Sequence, residues 1–557
     1  MTIVCRIIGP AGAGKTSHMI GDRSGRRGVL GEWIENRQVN PYQIGYFSFT
    51  RAARREAAER AALISGEPMS QLEQYGHFRT VHSSAYKALG AGKELLVDDK
   101  ESRLWVAQAL GVAPDAAEIE SGEDEPSAVS EASSDEMNAL RLWDVARSRL
   151  ESIEVSWEAA AAINEFVPDL DAVRKTIDQY EQMKRLDGRQ DFTDLLGRFA
   201  GVRFGLAGHS LDAIREGECP DLKIVVFDEW QDASALLDRC ANRLIEFSDV
   251  AYFCGDPMQA IYGFGGSHPR FLMGRTPTEG RERVLQQSHR CPKAIVDLGE
   301  EILRPCSDYW DRGVKPRDAE GQIDVAMLAG DWIHEIDPRE SWLIIARSNA
   351  HVRRLVKRLD AEGIPWLPTR GHGGKWAAPV RRQACLGLIS LEHGHVLSAA
   401  EWTAALKQLP SKNSEGEIIK HGMKSAWNDQ EHKPDELTDL EHLGEWGATD
   451  LLIDRIRDGR WTSLVDNGLE FRDAWKRWGH EAVLEPKVQC GTIHSVKGAE
   501  GDNVALLTTT SRQCTKSMDF EESANEERRV AYVGVTRTRQ RLLVLREKSL
   551  HCMDLPV

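Results

Sequence analysis

The sequence predicts an α/β protein: two parallel-sheet cores interrupted by two mainly helical inserted segments. Three observations carry this. The loop GPAGAGKTS, residues 9–17, follows directly on the short apolar run Ile3–Ile8. Short β-branched runs recur between helical stretches: Ile3–Ile8, Ile44–Phe49, Ile224–Phe227, Val250–Cys254, Trp342–Ala346, Val488–Ile493, Val504–Leu507 and Leu542–Leu545. Strands alternating with helices give parallel sheets covered on both faces, and these are too many for one small sheet. Two long polar stretches, 89–186 and 373–485, lack such runs and read as helical insertions.

The first element sets the chemistry. Gly9, Gly14, Lys15 and Thr16 complete the pattern G-x-x-x-x-G-K-[ST] between a strand and a helix. Glycines let the backbone curl so that successive N–H groups face an anion, and the helix that follows adds the positive end of its dipole. Lysine at this place reaches the outer phosphates, and the threonine hydroxyl suits Mg²⁺. Gly9, Gly12, Gly14, Lys15, Thr16 and Ser17 are therefore the candidate nucleoside-triphosphate cradle.

Composition narrows the class. A length of 557 residues suggests three to four domains, and 41% apolar residues suffice for large cores. No apolar run is long enough to span a membrane, and no secretory leader is evident. Ten cysteines are scattered without a C-x-x-C, which predicts reduced thiols in a cytoplasmic setting and no zinc or iron–sulfur site. A formal net charge of -16 at first opposes a nucleic-acid partner. Nine carboxylates and no Lys or Arg fall in Pro114–Glu136, however, a segment that reads as a solvated acidic linker and leaves room for a local basic groove. Seven of the sixteen tryptophans fall within 373–485, as core filling among short helices or as a surface for a protein partner.

Two further strands end in functional side chains. In KIVVFDEWQDAS, residues 223–234, Asp228 stands where a phosphate-loop protein needs its second Mg²⁺ anchor, and Glu229 can orient and deprotonate water. In VAYFCGDPMQAIYGFGGS, residues 250–267, Gln259 can bridge a γ-phosphate and another domain. Tyr262 and Phe264 offer flat faces for bases, where stacking contributes about 1–3 kcal/mol per base, or else fill space beneath the loop.

With these in place the chain resembles superfamily 1A helicases of the UvrD, PcrA and Rep type, through at least seven segments in order. IGYFSFTRAARREAAERA (44–61) is similar to their motif Ia and RTVHSSAYKAL (79–89) to Ib. DFTDLL (191–196) is close to DFDDLL, DEWQD (228–232) to DEAQD, and GDPMQAIYGF (255–264) to GDxxQSIYxF. LQQSHRCPKAI (285–295) stands for motif IV, TIHSVKGAEGDNV (492–504) for V, and EERRVAYVGVTRTRQRL (526–542) for VI. The resemblance implies two RecA-like cores using ATP and Mg²⁺. Core 1A would comprise 1–88 and 187–278, insert 1B 89–186, core 2A 279–372 and 486–557, and insert 2B 373–485. It further implies that Lys15, Thr16 and Asp228 hold phosphate and metal, that Glu229 is the base, and that Gln259 senses the γ-phosphate. Arg290 and Arg537 would be arginine fingers, both supplied from the second core, and Glu500 would contact the ribose. The strand-facing set would be Phe49, Thr50, Thr80, His82, Tyr262, Phe264, Thr492 and His494.

Four departures qualify the match. Eight residues precede Gly9, so the family's upstream adenine-reading glutamine has no counterpart. His289 replaces the adenine-stacking tyrosine, Phe264-Gly265 replaces Trp-Arg, and Val81 replaces a frequent phenylalanine. Arg51, Arg54, Arg55 and Arg60 face a phosphodiester backbone or form i,i+4 pairs such as Arg55–Glu59. The expected function is 3′-to-5′ translocation on single-stranded DNA and opening of 3′-tailed duplexes, by a cytoplasmic protein that is a monomer in the absence of DNA. The alternative is a DNA-stimulated ATPase that strips proteins or serves a partner nuclease without processive unwinding.

Overall fold

The computed structural model describes residues 2–21, 27–49, 51–92, 96–97, 100–112, 134–164, 166–370, 373–429 and 435–557. Thr50 and residues 114–133 of the acidic segment lie outside them. The chain divides into two compact units. One comprises Met1–Gln322, Thr510–Arg537 and Leu550–Val557; the other comprises Ile323–Thr509 and Thr538–Ser549. Among the described residues no helix is long and apolar enough to cross a membrane. All ten cysteines are free thiols.

The first unit is built on a six-stranded sheet of β1 (Ile3–Ile8), β2 (Ile44–Phe47), β3 (His77–Arg79), β4 (Ile224–Phe227), β5 (Val250–Gly255) and β6 (Glu282–Val284), ordered β3-β2-β4-β5-β1-β6. Its pairings are parallel, with Ile224 opposite Val250 and Ile3 opposite Val250 on the other side. The alternation of a strand sorts its side chains between two cores. Ile224 and Val226 join Ile7, Tyr46, Met19 and Ala58 on one face. Val225 and Phe227 join Phe47, Phe253, Phe199 and Leu236 on the other. Such two-sided burial explains why the central strands are continuously apolar.

The first long insertion is helical where described, with helices Lys100–Leu110, Asp135–Arg149, Ile153–Ile163 and Leu170–Asp187. Asp135 and Glu136, the last carboxylates of the acidic segment, occupy the first turn of their helix behind the Ser134 cap, where negative charge is favourable. The DFTDLL segment anchors this region. Asp191 caps helix Phe192–Ala200 in a reciprocal capping box with Asp194. Both carboxylates also bind Arg147 and Lys184, whose side chains are each 4% exposed.

The second unit carries a six-stranded sheet of β7 (Gln322–Met327), β8 (Trp342–Ala346), β9 (Trp366–Pro368), β14 (Val488–Thr492), β15 (Gly501–Leu507) and β16 (Thr538–Arg546), ordered β7-β16-β15-β8-β14-β9. Two-residue ladders pair β10 (Leu397–Ser398) with β13 (Leu437–Thr438) and β11 (Lys412–Asn413) with β12 (Gly416–Glu417). Helices including Pro379–Glu392, Ala399–Gln408, Asp450–Arg457 and Gly468–Trp478 fill the second long insertion. Its tryptophans are core: Trp376, Trp402, Trp427 and Trp461 are buried in one apolar cluster with Trp342 and Ile344, and Trp446, Trp475 and Trp478 pack against it.

Candidate functional site

The cradle forms where β1 runs into helix Lys15–Ile20. Gly9 donates its N–H to Gly255 O at 3.1 Å. Gly12 and Gly14 take φ of 70° and 71°, a left-handed conformation that glycine adopts without strain. Space is equally restrictive at Gly12, where a Cβ would stand 2.4 Å from Arg290 Cβ. The segment 288–290 lies against this loop. Ser288 Oγ donates to Ala11 O at 2.8 Å, and His289 N donates to Gly12 O at 2.8 Å. Tyr532 Oη accepts from Ala11 N at 3.5 Å. Lys15 is buried, its Nζ resting on Gly9 O at 3.0 Å. Thr16 is half-buried and Ser17 exposed.

Asp228 follows β4 and is fully buried. Its Oδ2 accepts from Tyr46 Oη at 2.6 Å and its Oδ1 from Glu229 N at 3.0 Å. Burial, then repulsion from Glu229, pushes the Asp228 carboxyl up to about 6, with Lys15 acting in the opposite sense. Glu229 sits at φ 56°, unusual for a residue with a side chain. Its Oε2 accepts from Gln231 Nε2 at 2.6 Å, while Gln231 Oε1 accepts from Asp256 N at 3.0 Å. Two adjacent carboxylates, one buried and proton-seeking, beside a hydroxyl-bearing phosphate loop make a fitting oxygen set for Mg²⁺.

A buried polar chain continues from here. Gln259 Nε2 donates to Asp256 Oδ2 at 2.8 Å, and Gln259 Oε1 accepts from Arg537 Nη2 at 3.2 Å. Asp256 Oδ1 accepts from Arg312 Nη1 at 2.9 Å, and the side chains of both residues are fully buried. Burial and the nearby Arg290 bring the Arg537 guanidinium down to about 10, an effect that Glu229 partly offsets. Arg290 Nη1 donates to Thr536 O at 3.4 Å. The cradle, the carboxylate pair, Gln259, Arg290 and Arg537 thus belong to one compact unit. Tyr46, Arg312 and Tyr532 join them without having been expected. Tyr532 lies inside the segment 526–542, whereas Arg312 falls in none of the recognisable segments.

The residues expected to face a strand are more dispersed. Phe49 is 39% exposed, its ring centroid 6.2 Å from that of buried Trp230. Thr80 caps helix Val81–Leu89, its hydroxyl accepting from Ser83 N at 3.1 Å. His82 meets Phe192 edge-on at 6.3 Å, and burial favours its neutral form. Tyr262 and Phe264 are half-buried and stand edge to face at 6.0 Å. In the arginine-bearing helix, Arg55 pairs with Glu59 and Arg60 with Glu56. Thr492, His494 and Glu500 belong to the second unit. There Thr492 and His494 are buried, Thr492 Oγ1 accepts from Ser495 N at 3.1 Å, and Glu500 Oε1 accepts from Arg539 Nη1 at 2.6 Å.

Comparison with known proteins places the chain in a family. Residues 2–277 match the UvrD/REP helicase N-terminal domain, and residues 477–549 match the UvrD-like helicase C-terminal domain. The chain is 25% identical over 450 residues to the ATP-dependent DNA helicase UvrD2 of Mycobacterium tuberculosis, covering 70% of this chain and 58% of that protein. It is 22% identical over 405 residues to DNA helicase II of Haemophilus influenzae, covering 58% and 54%. A shorter match, 31% identical over 127 residues, covers 22% of this chain and 11% of the RecBCD enzyme subunit RecB of Mycobacterium tuberculosis. The chain therefore spans less than three-fifths of the length of these curated relatives.

Proposed function

This chain belongs to the UvrD-type superfamily 1A helicases, and from that premise we propose that it hydrolyses ATP to move 3′ to 5′ along single-stranded DNA and to open 3′-tailed duplexes. The observation that carries the proposal is the bond from Arg537 to Gln259 within the unit that holds the phosphate loop.

In this reading Lys15 exchanges its bond to Gly9 O for the outer phosphate oxygens. Thr16 and Asp228 hold Mg²⁺, which neutralises phosphate charge. Glu229 orients water and takes its proton. Arg290 and Arg537 stabilise charge on the transferring phosphoryl group with guanidinium forks, and Gln259 reports the γ-phosphate to Arg537. His289 stacks on the base and Glu500 contacts the ribose. Phe49, Tyr262 and Phe264 stack on successive bases, while Thr50, Thr80, His82, Thr492 and His494 position the strand. The protein is cytoplasmic and, in the absence of DNA, a monomer; it serves DNA replication or repair by loading on 3′ tails.

Strand displacement from 3′-tailed and 5′-tailed duplexes, run beside release of streptavidin from biotinylated single strands, tests the reading. Duplex opening only from a 3′ tail, and streptavidin release from 5′-biotinylated rather than 3′-biotinylated strands, are expected. Preference for the 5′ tail overturns the polarity. Streptavidin release without duplex opening restricts the motor to translocation.

A further inference from the structure

The loop carrying Tyr262 and Phe264 is gripped at the residue between them. Gly263 N donates to Glu526 Oε1 at 2.8 Å, and Gly263 O accepts from Arg149 Nη2 at 2.7 Å. The fit is close: a Cβ on Gly263 would stand 2.4 Å from Glu526 Oε2, so a side chain there would displace the Glu526 carboxylate. Glu526 lies on helix Glu521–Val535. The same helix presents Tyr532 to the phosphate loop, and the turn after it carries Arg537 to Gln259. Six residues separate Glu526 from Tyr532, a rise of about 9 Å along a helix. One rigid element therefore touches the aromatic loop at one point and the nucleotide cradle at another.

We infer that Glu526 is a positioning residue that couples strand engagement to nucleotide engagement. Displacement of the Tyr262–Phe264 loop by a stacked base moves Gly263, and the charge-assisted bond to Glu526 passes that movement to the helix. Arg149 holds the carbonyl of the same residue, in the next peptide group, so the loop shifts with its two clamps rather than independently of them. The inference rests on the proposed function, since it needs one ligand at each site.

The test uses the full chain, a (dT)20 oligonucleotide and a non-hydrolysable ATP analogue with Mg²⁺. Each ligand's affinity is measured alone and with the other saturating. Coupling is reciprocal and, in proteins generally, amounts to about 5–150-fold. In the wild type the oligonucleotide should change analogue affinity by a factor in that range. In E526A each ligand should still bind alone, and the factor should fall to within about twofold of one. E526Q keeps an acceptor oxygen for Gly263 N and should recover most of the factor, which a merely structural role would not predict. E526A retaining the wild-type factor overturns the inference. Should E526A not fold, E526D and R149M carry the test, and an unchanged factor in both overturns it. A wild type that binds neither ligand refutes the proposed function itself, a result distinct from unaltered coupling in the variants.

Discussion

Arg537 and Gln259, 278 residues apart in the chain, are joined by a hydrogen bond from Nη2 to Oε1 at 3.2 Å. The bond brings the end of one recognisable sequence segment onto the middle of another. It also fixes a guanidinium whose burial beside Arg290 makes its charge costly until an anion arrives. In the proposed function, a phosphoryl group taking on negative charge is such an anion.

Replacing Arg537 should therefore cost turnover far more than binding. Arg537→Ala is expected to lower single-turnover ATP hydrolysis by on the order of 10³ while analogue affinity changes only a few-fold. Arg537→Lys should not restore the rate, because a point charge lacks the planar fork. Quench-flow kinetics beside analogue titration separates the two effects.

Metal dependence should carry the signature of Asp228. Its carboxyl is raised to about 6, so the proton stabilises the nucleotide-free fold at low pH and that contribution is lost as pH climbs through 6. Mg²⁺ competes with this proton. Half-saturating Mg²⁺ should rise by up to about tenfold for each pH unit below 6 and stay level above pH 7. In Asp228→Asn the Mg²⁺-induced rise in melting temperature should shrink and lose its pH dependence, as EDTA-controlled thermal melts would show.

The ion cluster under the first helical insertion should be brittle. Arg147 is surrounded by Asp144, Glu181, Asp191 and Asp194, which keep its guanidinium protonated. Removing one partner of a buried network leaves the others uncompensated, at about 3–5 kcal/mol. Urea unfolding of Arg147→Met should show a loss of that size, and an unchanged midpoint would contradict the assignment.

His77 predicts an acid-side loss of stability. Burial, then Lys87 and Arg79, bring its imidazole down to about 4. Arg79 and Lys87 are held in place by the carbonyls that end helix Met69–Tyr75. The unfolded chain accepts the proton near the ordinary histidine value while the fold refuses it, so stability should fall as pH drops from about 6.5 toward 4. Urea midpoints at pH 7.5, 6 and 5 should converge in His77→Gln.

The sequence disclosed the sheet centres but not their edges. All eight apolar runs correspond to strands, with small shifts at their ends, whereas β3, β6, β7 and β9 escaped detection. Those four are the outer strands of their sheets. His77-Phe78-Arg79 and Glu282-Arg283-Val284 carry charged or titratable side chains, and Pro368 ends β9, as edges permit. Within the site, the phosphate loop and Asp228 were legible because strand, turn and residue type coincide locally. Arg312 was not, since its pairing with Asp256 spans 56 residues and leaves no periodic trace. Glu526 lay in view inside a recognisable segment, but its bond to Gly263 is a fact of tertiary packing alone.

The most direct measurement is steady-state ATP turnover as a function of single-stranded DNA concentration, for the wild type, Lys15→Ala and Glu229→Gln. Turnover should rise steeply with DNA in the wild type and be lost in both variants. Turnover indifferent to DNA, or surviving in Glu229→Gln, would contradict the proposed function.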